Sequence, residues 1–172
     1  MSLATDFDGI QRPLFIRRLE NNGSDLMNVD GSITPVSFKL QPASNEILRV
    51  SNWFIYIEDE KGFNITDYGA LAGPLTNGLE IKASIGGRYG PLISFNVKSN
   101  ADIISVAYDM DLKTWGNDND VLVAKIDFTN MGQFVRLDGS QGDFLEVIVN
   151  DNLTNLGKQV ITAQGYIEDK VF

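Results

Sequence analysis

Apolar and polar positions alternate with a period of two along most of the chain. Val36, Phe38 and Leu40 are separated by Ser37 and Lys39, and Leu79, Ile81, Ala83 and Ile85 by Glu80, Lys82 and Ser84. The same alternation runs through residues 93–97, 122–128, 145–149 and 161–167. Successive side chains of a strand point to opposite faces, so each run predicts a strand with one buried and one wetter face. Further strands are expected over 13–19, 46–58, 103–109 and 134–137. The long 46–58 run becomes apolar on both faces at Trp53-Phe-Ile-Tyr-Ile57, as a central strand requires. Phe38, Ile55, Ile57, Phe95, Val97, Ile126, Phe128, Val147 and Ile161 are the expected core.

The separators are turn-formers: Asn21-Asn-Gly-Ser24, Asp30-Gly31, Lys61-Gly62, Asn77-Gly78, Gly86-Gly87, Asn130-Met-Gly132 and Asp138-Gly-Ser-Gln-Gly142. Only 67–75 has room for a short helical turn, and Gly69, Gly73 and Pro74 work against a longer one. Nine or ten short strands with such loops predict an all-β, antiparallel two-sheet β-sandwich, jelly-roll-like, with an immunoglobulin-like sandwich as the alternative. Residues 1–12 form an N-terminal arm and 13–172 a single β-sandwich domain in this reading.

Charge narrows the partners. The chain carries 23 acidic against 14 basic side chains, a net charge of −9, and no lysine–arginine cluster larger than Arg17-Arg18. Nucleic acid and an anionic membrane surface both call for a basic face, so neither is an expected partner. No apolar run approaches the length of a bilayer span, and the opening Met1-Ser-Leu-Ala-Thr-Asp-Phe-Asp8 is acidic where a signal peptide would be basic.

The chain contains neither histidine nor cysteine. That removes the commonest general base, the serine–histidine and cysteine–histidine arrangements, and any cysteine-held metal. No glycine-rich phosphate cradle is present, since Gly86-Gly87 lacks the Lys-Ser/Thr that would follow. The reading is of a protein that is not an enzyme and takes no cofactor. The densest acidic stretch is Asp109-Met-Asp111 followed by Asp118 and Asp120, a weak calcium candidate because clustered carboxylates suit a hard cation. Lys113 stands where an EF-hand needs an oxygen ligand, and a polar loop between strands accounts for the same residues. Trp53 reads as core. Trp115, flanked by Gly116 and polar residues, reads equally as an interface anchor or as packing at the sandwich edge. An exposed Trp115 keeps open a carbohydrate- or receptor-binding module.

One set of phrases resembles virion structural proteins of tailed bacteriophages. They are Val29-Asp-Gly-Ser-Ile-Thr-Pro-Val36, Trp53-Phe-Ile-Tyr-Ile-Glu-Asp59, Tyr68-Gly69 with Leu75-Thr-Asn-Gly78, Val106-Ala-Tyr-Asp109 with Trp115-Gly116, Arg136-Leu-Asp-Gly139 and Gln164-Gly-Tyr-Ile-Glu168. Asp30 stands where that pattern has Asn. The phrases are strand and turn pieces, with no catalytic residue to carry over. The resemblance implies a capsid decoration or minor capsid protein, or a head–tail neck component. It would be assembled in the host cytoplasm into the virion, as a homo-oligomer against major capsid, portal or neck proteins. Trp115, Tyr68, Leu75, Phe7 and Phe172 are the residues expected at such contacts.

Overall fold

The computed structural model describes residues 3–5, 11–59, 62–107, 109–115, 119–129 and 134–168, with the backbone alone at 3–5, 11, 109–115 and 119. Its strands are β1 Leu3–Thr5, β2 Gln11–Arg18, β3 Val36–Leu40, β4 Ile47–Asp59, β5 Leu79–Ile85, β6 Arg88–Pro91, β7 Asp109–Trp115, β8 Asn119–Asp127, β9 Val135–Asp138, β10 Phe144–Val149 and β11 Lys158–Glu168. Among the described residues one α-helix, α1 Asn100–Val106, lies between β6 and β7.

Every strand pair is antiparallel. A 7-stranded sheet runs β1-β2-β11-β4-β8-β7, with β9 also on β4, and a 4-stranded sheet runs β3-β10-β5-β6. The pairs β2 with β11, β3 with β10, β4 with β8 and β9, and β5 with β6 are the rungs of one long folded ribbon. The ribbon is rolled so that β11 also joins β4 and β10 also joins β5. That winding is a jelly roll. It bears out the two-sheet sandwich and sets aside the immunoglobulin-like alternative.

The alternation places the core between the sheets. Phe15, Trp53, Ile55, Ile57, Leu122, Ala124, Ile126, Ile161 and Ala163 face inward from the larger sheet, and Phe38, Leu40, Ile81, Leu145, Val147 and Val149 meet them from the smaller. Trp53 is fully buried and packs edge-on to Phe128, with ring centroids 6.0 Å apart. The inward parity of β4 changes once: Leu48 and Val50 are buried, then Trp53, Ile55 and Ile57. A β-bulge opposite Gln164 and Gly165 takes up the extra residue. Gly165 suits the site because a Cβ there would stand 1.8 Å from the Arg49 carbonyl oxygen.

Three expectations are corrected. Residues 93–97 form no strand: only Val97 bridges to Leu79, while the amides of Leu92 and Ile93 both donate to the Ile81 carbonyl. The chain bends there, so the alternation does not apply and Phe95 is 40% exposed instead of core. The expected strand over 103–109 is mostly α1. Ser99 accepts from the Asp102 amide and the Asp102 carboxylate accepts from the Ser99 amide, a capping box that overrides the β-branched Ile103-Ile104 pair. Residues 67–75 turn without forming a helix. The strand count is eleven among the described residues because β1, β6 and β7 add to the expected set.

Carboxylates fasten the corners. Asp151 accepts the amides of Thr76, Asn77 and Gly78, and Asp143 those of Gly86 and Asp138. Arg17 donates twice to Glu46, at 2.7 and 2.9 Å. This pairing holds Glu46 down to about 2 from its ordinary 4.5, against a burial that acts the other way.

Truncating Ile57 to alanine is expected to cost about 2–5 kcal/mol in urea unfolding. Ile33→Ala, on a side chain 91% exposed, should stay within about 0.5 kcal/mol. Glu46 binds its proton more readily in the unfolded chain, so its pairing contributes stability that is present above pH 4.5 and lost as the pH falls toward 2. Unfolding free energies measured across that window should fall less steeply in Glu46→Gln than in the parent protein.

Candidate interaction surface

Two of the residues expected at contacts are core instead. Tyr68 is fully buried and its hydroxyl donates to Gln159 Oε1 at 2.9 Å. Burial pushes the hydroxyl's pKa well up, with the bond to Gln159 opposing. Leu75 is also buried, its amide bonded to the Lys98 carbonyl. The loop that carries them is drawn inward by Asn100, whose side chain accepts from the Gly69 amide and donates to the carbonyls of Gly69 and Asn64. Both side chains belong to the core, so neither is free to meet a neighbour. Phe7 and Phe172 lie outside the described residues. Trp115 is described by its backbone alone, as the last residue of β7, opposite Asn119.

The acidic stretch is a hairpin strand and not the expected polar loop. Asp109 pairs with Lys125, Asp111 with Val123, and Asp120 with Thr114. Asp109 and Asp120 therefore sit five positions apart along the ladder, about 17 Å at the usual strand rise. A calcium ion draws its oxygens to about 2.4 Å, so one ion cannot join both. Asp118 lies outside the described residues. Among the described residues no group of three or more acidic side chains is gathered to hold a metal.

A different surface stands out at the β2 side of the larger sheet's outer face. Leu14 is 47% exposed, Ile16 70% and Phe134 45%. They are contiguous: Leu14 lies opposite Tyr166, the Tyr166 ring meets Phe134 edge-on at 6.0 Å, and Ile16 is next along β2 opposite Gln164. The Arg12 guanidinium sits 5.1 Å over the Tyr166 ring. Beyond them a shallow depression is lined by Arg18, Phe54, Tyr56, Val123, Lys158, Val160, Thr162 and Gln164.

The rim collects much of the chain's positive charge, each cation close to carboxylates of the same face. Arg12, Arg18, Arg49, Lys125, Arg136 and Lys158 all belong to this face, six of the 14 lysines and arginines. Several are matched locally: Arg18 by Asp25, Lys125 by Asp127, and Arg49 and Arg136 by Glu168. Burial opposes ionisation of Glu168, but the bond from Arg49 and the charge of Arg136 outweigh it and hold its pKa below the usual range. The surface thus combines an apolar, aromatic centre with a rim of neutralised cations, a composition common where proteins meet.

Gln11, Arg12 and Pro13 pair with β1, whereas Leu14 to Arg18 pair with β11 on one side and with no described strand on the other. The opposite face of the sandwich is tied up internally. Glu146, nearly buried at the centre of the smaller sheet, accepts from Ser37 Oγ at 2.6 Å and from the Tyr89 hydroxyl, and Lys39 lies 3.8 Å away. Burial, aided by Glu146, pushes Tyr89 up to about 12.

Sequence reasoning missed the β2 surface, although a signal was present. Leu14-Phe15-Ile16 is apolar on both faces, like the central stretch of β4, but it lies in the first long strand of the chain. No protein family, curated protein or solved structure matches this chain.

Replacing Leu14, Ile16 and Phe134 together by serine should leave stability within about 1 kcal/mol of the parent, because none of the three is core. Binding of a hydrophobic dye to the folded protein should drop in the same variant. Unaltered dye binding would locate the sticky surface elsewhere.

Proposed function

We propose that this protein is a non-enzymatic structural component of a tailed-bacteriophage virion, present in many symmetric copies as a capsid decoration, minor capsid or head–tail neck protein. The observation that carries the reading is the exposed apolar corner of Leu14, Ile16 and Phe134 around the Tyr166 ring, with its rim of paired cations. Large contiguous apolar surface on a water-exposed face is a mark of contact with another protein. Aromatic and arginine side chains are the types enriched at such contacts.

The phrase-level resemblance supports the same class, as does the jelly roll, a winding used by capsid and lectin domains alike. The fold by itself does not choose between those uses. A net charge of −9 favours protein partners, with major capsid, portal or neck proteins the expected ones, over nucleic acid. Repetition lets a modest contact hold: copies anchored side by side on a symmetric lattice gain avidity without any single strong interface.

Mass spectrometry of purified particles tests the assignment. The protein should be found in virions in multiple copies, and the Leu14→Ser, Phe134→Ser double variant should be incorporated less while staying folded. If particles contain the products of neighbouring genes but not this protein, the assignment fails and glycan binding becomes the next reading to examine.

A further inference from the structure

We infer that the outer face of the larger sheet docks on the same face of a second copy of this chain. The two-fold axis lies between the two sheets and crosses the strands at the row Ile126, Trp53, Ala163. The dimer shares the apolar corner with the proposed function but not the virion assignment, since it is measured on the purified protein alone.

The face is apolar along a band. Trp53, Ile55 and Ile57 point into the core, so Phe54 and Tyr56 between them point outward, as do Val160 and Thr162 beside them on β11. These four line the shallow depression, and the exposed corner of Leu14, Ile16 and Phe134 adjoins it. A band of this kind on a water-exposed face marks a contact with another protein.

The order of charges along the strands identifies the partner. Trp53 of β4 lies opposite Ala163 of β11 and Ile126 of β8, so these three mark one row across the sheet. Lys158 stands five residues before Ala163 and Glu168 five after it, while Lys125 and Asp127 flank Ile126. A two-fold axis along that row lays each strand antiparallel over its own copy. Lys158 then faces Glu168 of the second copy, and Lys125 faces Asp127. The registered neighbours follow: Val160 faces Tyr166, Tyr56 faces Arg49, Thr162 faces Gln164 and Arg18 faces Ile16. None of these matches sets like charges together, and an isologous contact requires that each patch suit itself in this way. The Lys125–Asp127 pair, 3.4 Å apart within the chain, becomes half of a four-membered network of alternating sign, which holds better than an isolated surface pair. The shapes correspond as well. Leu14 shares a row with Tyr166, so the corner of each copy lies over Val160 and the depression of the other. The contact is therefore made twice, once on each side of the axis.

Exchanged charges test the register. The parent protein should sediment as a dimer at high micromolar concentration. In Lys125→Glu two carboxylates face each other across the axis, and in Asp127→Lys two ammonium groups do, so each variant alone should have a dissociation constant raised about tenfold or more. Mixed in equal amounts, the two variants should dimerise again, because every position then meets its opposite. Circular dichroism checks that both are folded; if either is not, a cross-linking pair decides. Sheets packed face to face lie about 10 Å apart, and two strand rises of about 3.3 Å separate Thr162 from its own copy along the strands, so the two Cα atoms stand about 12 Å apart. The sequence holds no cysteine. A short bismaleimide should therefore couple Thr162→Cys into a covalent dimer faster than Ile33→Cys, on a loop residue that is far more exposed. A parent protein that is monomeric at every concentration overturns the proposal. So does a mixture of the charge variants that dissociates like its components, or a Thr162→Cys variant that couples no faster than Ile33→Cys.

Discussion

β4 is hydrogen-bonded along both of its edges, to β11 from Ile47 through Glu58 and to β9 and then β8 on the other side. Its inner face carries Leu48, Val50, Trp53, Ile55 and Ile57 into the middle of the core. Without this pairing, the outer strands of the ribbon have nothing to close against, and the smaller sheet loses the surface it packs on. The β11 partners of β4 come from a hundred or more residues away in sequence, as Ile55 with Ile161 illustrates. Such distant contacts place the fold among those that close late and slowly, since the loop entropy is spent before the pairing is gained.

The acidity of the chain has an internal explanation as well as a surface one. Asp151, Asp143, Glu46, Glu146 and Glu168 each accept hydrogen bonds that join segments far apart in sequence. Turns that leave backbone amides without a ladder partner need acceptors, and a carboxylate supplies two oxygens at once. Clustering alone is a poor guide: Asp109 and Asp111 form part of a hairpin strand. The carboxylates with structural consequences are the scattered ones.

Most of the sandwich was legible because its strands are half-buried. Where one face of a strand meets the core, alternation is a direct imprint of the fold, as at Phe38 and Leu40 or at Ile81 and Ala83. It misled where the same pattern had another cause. The 93–97 segment alternates, yet it bends away after Leu92, and the helix beginning at Asn100 is set by a cap instead of by its apolar residues. The buried state of Tyr68 and Leu75 was illegible, because a loop's direction depends on a tertiary bond, the Asn100 side chain to Gly69. The exposed corner at Leu14 and Ile16 stayed hidden for a related reason: pattern alone does not say which of two apolar strand faces is left uncovered.

The bulge in β4 opposite Gln164 and Gly165 has a consequence for how the chain tolerates change in length. It divides the strand into two halves whose faces are out of phase, with Arg49 turned outward before it and Phe54 and Tyr56 after it. Ser51 sits at the junction, its hydroxyl on the Gln164 carbonyl and its own carbonyl taking the Phe128 amide. Losing one residue there would bring the halves into step, turning either Leu48 and Val50 toward water or Trp53, Ile55 and Ile57. A surface loop can lose a residue and keep its neighbours in place. At this point of β4 the same loss would be a frameshift in three dimensions, with every side chain on one half reassigned to the wrong solvent.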